Sequence, residues 1–412
     1  MVMVDIVDSE ECFNKDIAPY RIRQGEFDVQ KPYFYAKNQP TDQQRPSKKR
    51  KKSVKEVSPS EADMKTKERH HVLRAQIIAC LEQLPQVLPK KLLKHENTSS
   101  ITRENDEDST SETIDFPSIQ KMVEVSQNKF TTVVQEDDDS NEGKQFMPAL
   151  FEFTSSVTTE LDIFSIFNTV CINRAVEGVR LLQLTPTAMY LIPPKTAFLM
   201  GSLANSMKQL DAYITSVGRA DLIVMDPPWP NKSVQRSSHY ETQDIYDLFK
   251  IAIPSMIGEK DSIVAVWVTN KPKFRNFIIH KLFPSWKLEC VGEWIWLKVT
   301  NQAECVFPLD SEHKKPYEQL IIGRPYQHKE SKERVSIPQT NVIVSVPSVR
   351  HSRKPPLGDV LSPYLSKDTT KNPVYVELFA RCLMPGWISW GNECLKFQHV
   401  SYYEKESQGV RE

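Results

Sequence analysis

At 412 residues the chain has room for about two domains, and its 53 Lys and Arg balance 53 Asp and Glu, so net charge argues neither for nor against a polyanionic partner. Its seven cysteines are scattered, odd in number and without a C-x-x-C pair, which speaks against a disulfide framework or a Cys-rich zinc site and favours a reducing compartment. The acidic start "MVMVDIVDSEECF" lacks the basic residues of a secretory signal, and no run approaches the roughly 18 apolar residues of a membrane span, so a soluble intracellular chain is expected.

Residues 1–144 read as an N-terminal region, partly disordered. The block "PSKKRKKSVK" and the polar tracts 97–115 and 135–144 are too poor in apolar residues to bury a core. Lys48 to Lys52 suit a nuclear import signal or a nucleic-acid-binding arm. Between these tracts, Leu73, Ile77, Leu81 and Leu84 recur at helical spacing and predict a helix near 64–84, ended by Pro85 and Pro89. A weaker helix is expected at 118–130. His70 and His71 lie in the first helix with no second ligand pair at a suitable spacing, so no metal is expected.

From 145 to 405 short apolar strands alternate with helical stretches, followed by a tail at 406–412. Strands are predicted at 188–192, 197–201, 221–226, 262–269, 292–299, 318–324, 342–346, 374–379 and 387–392. Helices are predicted at 203–216, 243–257, 271–282 and near 357–365. Continuous apolar strands imply an α/β sheet covered by helices on both faces.

One strand end is chemically odd: "DLIVMD" runs into Asp226-Pro227-Pro228-Trp229. Ligands of open α/β sheets bind at the carboxyl ends of the strands. Two prolines remove backbone donors and stiffen the turn, leaving the Asp226 side chain and the Pro227 carbonyl as paired acceptors. Such a pair suits an exocyclic amine such as that of adenine, whose lone pair is delocalised into the ring until both N–H groups are engaged. Trp229 would stack on the base and hold the amine in line with a methyl donor. The bland alternative is turn chemistry plus a tryptophan that plugs the core.

The tetrad, followed in order by "NKSVQRS", "WVTN", "EWIWLKVTN", "FPLDSEHKKPYE", "SVRHSRKPP", "ELFAR" and "PGWISWGNE", resembles the MT-A family of adenine-N6 methyltransferases, on the methyltransferase-like protein four branch, over about residues 185–400. The resemblance implies a Rossmann-like, circularly permuted methyltransferase sheet, with the tetrad first and the cofactor segment near the end. That order fits the absence of any G-x-G-x-x-G run. It implies S-adenosyl-L-methionine as cofactor. Glu377, Phe379 and Arg381 match the segment lining its ribose and methionine portions, and Asn392 and Glu393 a second ribose-contacting pair. Lys354 matches a lysine that meets its carboxylate. Ser202 and Leu203 align with an adenine-contacting pair that is commonly Asp-Ile, a departure that removes a charge-assisted hydrogen bond.

Cations interleaved with aromatics suit a flipped or single-stranded base beside a phosphate rim. Lys232, Arg236, His239 and Tyr240 follow the tetrad, and His313, Lys314, Lys315 and Tyr317 form a second cluster; both are expected at the substrate. Trp294 and Trp296 alternate with Ile295 along one strand, and core packing is expected for at least one of them. The resemblance implies RNA as substrate, first an internal 2′-O-methyladenosine of spliceosomal small nuclear RNA. Independently of it, the basic block leads to an expected nuclear location, with the cytoplasm also open, and a monomer without a membrane partner is expected. DNA adenine is the alternative substrate, and a non-catalytic RNA-binding scaffold the alternative function.

Overall fold

Runs of β-branched and aromatic residues assemble into one large sheet in the computed structural model, which describes residues 3–33, 61–87, 146–155, 158–230, 244–258, 261–311, 314–326, 334–350, 353–365 and 372–406. The sheet has eleven strands. In spatial order they are Val4–Ile6, Val342–Ser345, Leu288–Lys298, Tyr317–Pro325, Ile263–Val268, Leu222–Met225, Tyr375–Leu378, Trp387–Gly391, Thr196–Met200, Val170–Asn173 and Leu150–Glu152. The five from Ile263–Val268 to Thr196–Met200 are mutually parallel. Tyr317–Pro325 runs antiparallel beside them. A small separate sheet joins Thr159–Glu160, Arg180–Thr185 and Ala188–Ile192.

Chain order explains where a ligand can enter. The chain passes from Leu222–Met225 outward to Ile263–Val268, whereas Tyr375–Leu378, its neighbour on the other side, continues outward in the opposite direction to Trp387–Gly391. Diverging connections leave a crevice at the carboxyl ends of that pair, the topological switch point of an open α/β sheet. Asp226 and Phe379 are the residues that follow the two strands.

Both sheet faces are apolar, as the continuous strand runs require. Ile223, Met225, Val264 and Val266 face a layer built from helix Leu203–Val217, segment 245–257 and helix 272–285. Leu222, Val224, Ile263, Ala265 and Trp267 face the segment around Leu357, Leu361 and Leu365. Trp294 and Trp296 point into this second layer and both are buried.

Helix Glu61–Val87 covers the antiparallel end of the first face. Its buried stripe of Leu73, Ile77, Cys80 and Leu84 packs on Ile295, Leu297, Val299, Tyr317, Val342 and Val344, with Leu81 partly buried at the border. Polar contacts pin the same helix. Arg69 and Arg275 both bind Glu293, at 2.5 Å each, and Arg74 is bidentate to Asp310 at 2.9 and 3.1 Å. Pro85 does not end the helix, which continues to Val87. A proline in the last turn removes one hydrogen bond, and the buried face N-terminal to it outweighs that loss. No His, Cys or carboxylate cluster able to hold a metal occurs among the described residues.

Strand bounds agree with the predicted ones to within a few residues. The stretch 243–257 is not one helix: it divides into Ile245–Lys250, a tight helical turn, and Ile253–Met256, with Pro254 starting the second. Residues 3–33 join the main fold. Val4–Ile6 extends the sheet edge beside Val342–Ser345, and Tyr20–Ile22 pairs with Tyr403–Lys405. The helix expected at 118–130 and the basic block 48–52 lie outside the described residues. No described helix is long and apolar enough to cross a membrane.

If helix Glu61–Val87 is held by its buried stripe, Ile77→Ala should destabilise the protein by about 2–5 kcal/mol, read as a lower denaturant midpoint; an unchanged midpoint would mean that the helix is not docked.

Candidate active site

Parallel pairing of Met225 with Leu378 sets the Asp226 and Phe379 turns side by side at the carboxyl edge. Pro227 is buried and Pro228 exposed, so the turn is fixed at one end and open at the other. The Trp229 amide donates to the Pro227 carbonyl at 2.8 Å. The carbonyl is therefore engaged by its own turn, and only its second lone pair can serve a ligand. Trp229 is 7% exposed. Its indole N–H donates to the Trp267 carbonyl at 2.8 Å, and its ring lies 5.0 Å from Phe274. The residue is thus a packed floor of the turn rather than an open platform.

Lys354 is the hub of the site. Its Nζ lies 2.8 Å from Asp226 Oδ2 and 3.1 Å from Glu318 Oε2, and Glu318 also binds Lys298. Lys298 in turn sits 4.4 Å over the Trp296 ring. Burial alone would raise the Glu318 pKa, but Lys354 and Lys298 outweigh it and hold the carboxyl at about 2. Burial would likewise lower the Lys354 pKa, and Asp226 and Glu318 together raise it above the ordinary lysine value. Glu318 was not singled out in the sequence, where it reads only as the acid that opens the predicted strand 318–324.

The residue before Lys354 is anchored from the far end of the chain. Arg353 is buried, with its guanidinium 4.4 Å over Phe13 and 3.1 Å from Glu26. Glu26 also accepts from Ser348 Oγ at 2.6 Å and pairs with Arg350 at 3.0 Å. The segment 3–33 thereby clamps the loop that presents Lys354.

Glu377 is half-buried beside Asp226, and no described residue hydrogen-bonds its carboxyl. Burial first, then the charge of Asp226, push its pKa up to about 8, against the opposing pull of Lys354 and Arg381. Arg381 instead pairs with Glu393 at 3.4 Å, and Glu393 with Lys396 at 3.2 Å. Phe379 adopts a left-handed backbone, φ 61°, with its ring edge-on to Trp390 at 5.2 Å. A bulky residue persists there only where its surroundings impose it, a pattern common at ligand sites. The close approach is real: a Cβ on Gly391 would meet the Ala380 carbonyl at 3.0 Å. Asn392 is exposed just beyond.

At the other end of the crevice Ser202 caps helix Leu203–Val217 without a side-chain cap bond, and Leu203 enters the core. The Ser202 Oγ is buried without a partner, as is Asn168 Oδ1. The pairing of Val170 with Leu199 carries Asn168 alongside Gly201, and a Cβ on Gly201 would come 2.7 Å from Asn168 Oδ1. Two orphaned polar atoms beside an obligatory glycine fit a purine edge, and Glu377 at the strand end fits ribose hydroxyls. The described residues thus fit an adenosyl group. Asn168 carried no signal in the sequence, since its position depends on strand pairing.

The expected substrate residues fare unevenly. Lys232, Arg236, His239, Tyr240 and His313 lie outside the described residues. Lys314 is exposed over the Phe307 ring, and Lys315 approaches the Leu309 carbonyl. Tyr317 does not face the crevice: it is 3% exposed, its hydroxyl bonded to His70 Nδ1 at 2.8 Å under the docked helix. The docked helix takes the ring as core, which corrects the expectation of a substrate contact.

Part of the chain is similar to known proteins. An MT-A70 family profile matches residues 220–393. The N(6)-adenine-specific methyltransferase METTL4 of Homo sapiens is 47% identical over 220 residues, 52% of this chain and 45% of that protein. The N6-methyladenosine RNA methyltransferase MTA1 of Pyricularia oryzae is 40% identical over 223 residues, 52% of this chain and 56% of that protein. A DNA N6-methyl methyltransferase of Caenorhabditis elegans is 34% identical over 216 residues, 51% and 55% respectively. The chain spans about half the length of the curated relatives it matches. Asp226, Glu318, Lys354 and Glu377 all lie inside the segment that matches the MT-A70 profile, and the chain is similar to METTL4 proteins at 44% and 47% identity.

Proposed function

We propose that this protein transfers a methyl group from S-adenosylmethionine to the exocyclic N6 amine of adenine in RNA. The observation that carries the proposal is the placement of Asp226 at the switch point, beside Glu377 and under Lys354. Asp226 accepts one amine hydrogen, and the second lone pair of Pro227 accepts the other, drawing the nitrogen lone pair out of the ring. Trp229, held by Trp267 and Phe274, stiffens from below the turn that presents these acceptors. S-adenosylmethionine, when bound, supplies an activated methyl on its sulfonium. Transfer leaves the amine cationic, and the Asp226 carboxylate is placed to take the N–H proton that must leave. Lys354 fixes that carboxylate in place, and preorganised charge of this kind needs no rearrangement at the moment of reaction.

Ser202 and Asn168 hold the adenine edge of the cofactor, Glu377 its ribose, and Phe379, Arg381, Asn392 and Glu393 the surrounding wall. The RNA reading follows the branch, with an internal 2′-O-methyladenosine of small nuclear RNA as first target; the name of the nematode relative supports DNA as a second reading. The basic block at Lys48 to Lys52 is proposed to direct nuclear import, and the enzyme to act as a monomer.

Asp226→Asn should lower methyl transfer at least about a hundredfold while the thermal midpoint holds, because Glu318 still pairs Lys354. Assays on matched RNA, 2′-O-methylated RNA and DNA oligonucleotides measure the loss and choose the substrate; undiminished turnover would remove Asp226 from the chemistry.

Glu377 gives a pH signature. With its pKa near 8, the carboxyl is neutral at lower pH and must release its proton to accept two ribose hydroxyls. Cofactor affinity should therefore rise as pH rises toward 8, by up to about tenfold per unit, and level off above it. Calorimetry of S-adenosylmethionine binding from pH 6 to 9 should show this slope in the wild type and none in Glu377→Gln.

A further inference from the structure

Tyr246 and Phe249 are 52% and 37% exposed, large rings left in solvent on the tight turn that follows the segment after the tetrad. Their rings stack at 6.1 Å and 23°, and each meets Phe277 edge-on at 5.6 Å. Phe277 and Phe274 lie one turn apart on helix Pro272–Phe277, and Phe274 packs on Trp229 at 5.0 Å. Buried rings on one helix therefore connect the tetrad to the exposed pair, with a helical step between Phe274 and Phe277.

Cations line this run. Lys273 and Lys271 lie 4.6 and 5.8 Å over the Phe274 ring, and Lys281 lies 5.8 Å over Tyr246. Two acids stand nearby, both engaged: Asp244 caps the turn through the Tyr246 amide at 3.0 Å, and Asp247 binds Lys250 at 2.7 Å. Exposed stacked aromatics beside Lys273 and Lys281 suit a polyanion that carries flat bases. A purely apolar partner would leave those lysines desolvated.

We propose that Tyr246 and Phe249 form a stacking platform for a base farther along the single strand that carries the target adenine, with Lys273 and Lys281 facing its phosphates. The proposal rests on the reading of the tetrad as the adenine site and extends it along the substrate. The platform reads no sequence, since every base has a face to stack. It favours single strands over duplexes, whose bases are already stacked.

The test uses the full chain. Fluorescence anisotropy with a labelled single strand of about twelve nucleotides, a length within the usual range for such grooves, compares the wild type with the Tyr246→Ala/Phe249→Ala double variant and with Tyr246→Phe. The double variant should bind the strand at least about tenfold more weakly, while Tyr246→Phe, which keeps the ring, binds normally. Calorimetric cofactor binding and methylation of an adenine-centred trinucleotide should stay unchanged. Equal affinity of wild type and double variant for the long strand, or no single-strand binding by the wild type, overturns the platform. Ring-dependent binding without any methyl transfer would instead sink the catalytic reading and leave the platform standing.

Discussion

A single buried ammonium, Lys354, holds the site together. Taking a lysine and two carboxylates out of water is costly unless each charge meets its partner at hydrogen-bond distance, and the contacts to Asp226 and Glu318 meet that condition. The cluster separates carboxyls that start alike. Glu318, between two lysines, is held at about 2, whereas Glu377, beside Asp226 and short of partners, is pushed to about 8. Groups driven apart in this way can take different roles at one pH. Removal of Lys354 would leave three acids, from three strands, at one edge of the sheet.

The hub depends on parts distant in the chain. The antiparallel strand Tyr317–Pro325 brings Glu318 to the carboxyl edge of its parallel neighbours. The loop bearing Lys354 is locked through Arg353 to Glu26, 327 positions away in sequence. The family match at 220–393 holds the charged cluster, yet Glu26, Asn168 and Ser202 lie outside it. The matched segment supplies Asp226, Glu318, Lys354 and Glu377, and the flanking chain supplies the Glu26 anchor and the buried Asn168 and Ser202 polar atoms.

Helix Glu61–Val87 has a related structural part. It closes the antiparallel end of the sheet, and its Arg69 shares Glu293 with Arg275 of helix 272–285, the helix that carries Phe274 against Trp229. Two arginines outweigh the burial of Glu293 and lower its pKa. Packing and charge thus connect the N-terminal helix to the floor of the tetrad.

Local chemistry determined much from sequence alone. Long apolar runs implied strands buried on both faces, Leu73, Ile77 and Leu84 marked a helix face, and the Asp226 tetrad stood out because that combination is rare at the end of a buried strand. Tertiary structure decided the rest. A three-residue strand such as Val4–Ile6 has too little local preference to announce itself without its partner Val342–Ser345. The burial of Trp229, the capture of Tyr317 by His70, and the persistence of the helix past Pro85 depend on neighbours that no local window contains. Lys354 meets Asp226 across 128 positions, a contact made by strand order. Residue type determined what each group could do, and only the fold, by setting burial and charged neighbours, decided which groups would do it.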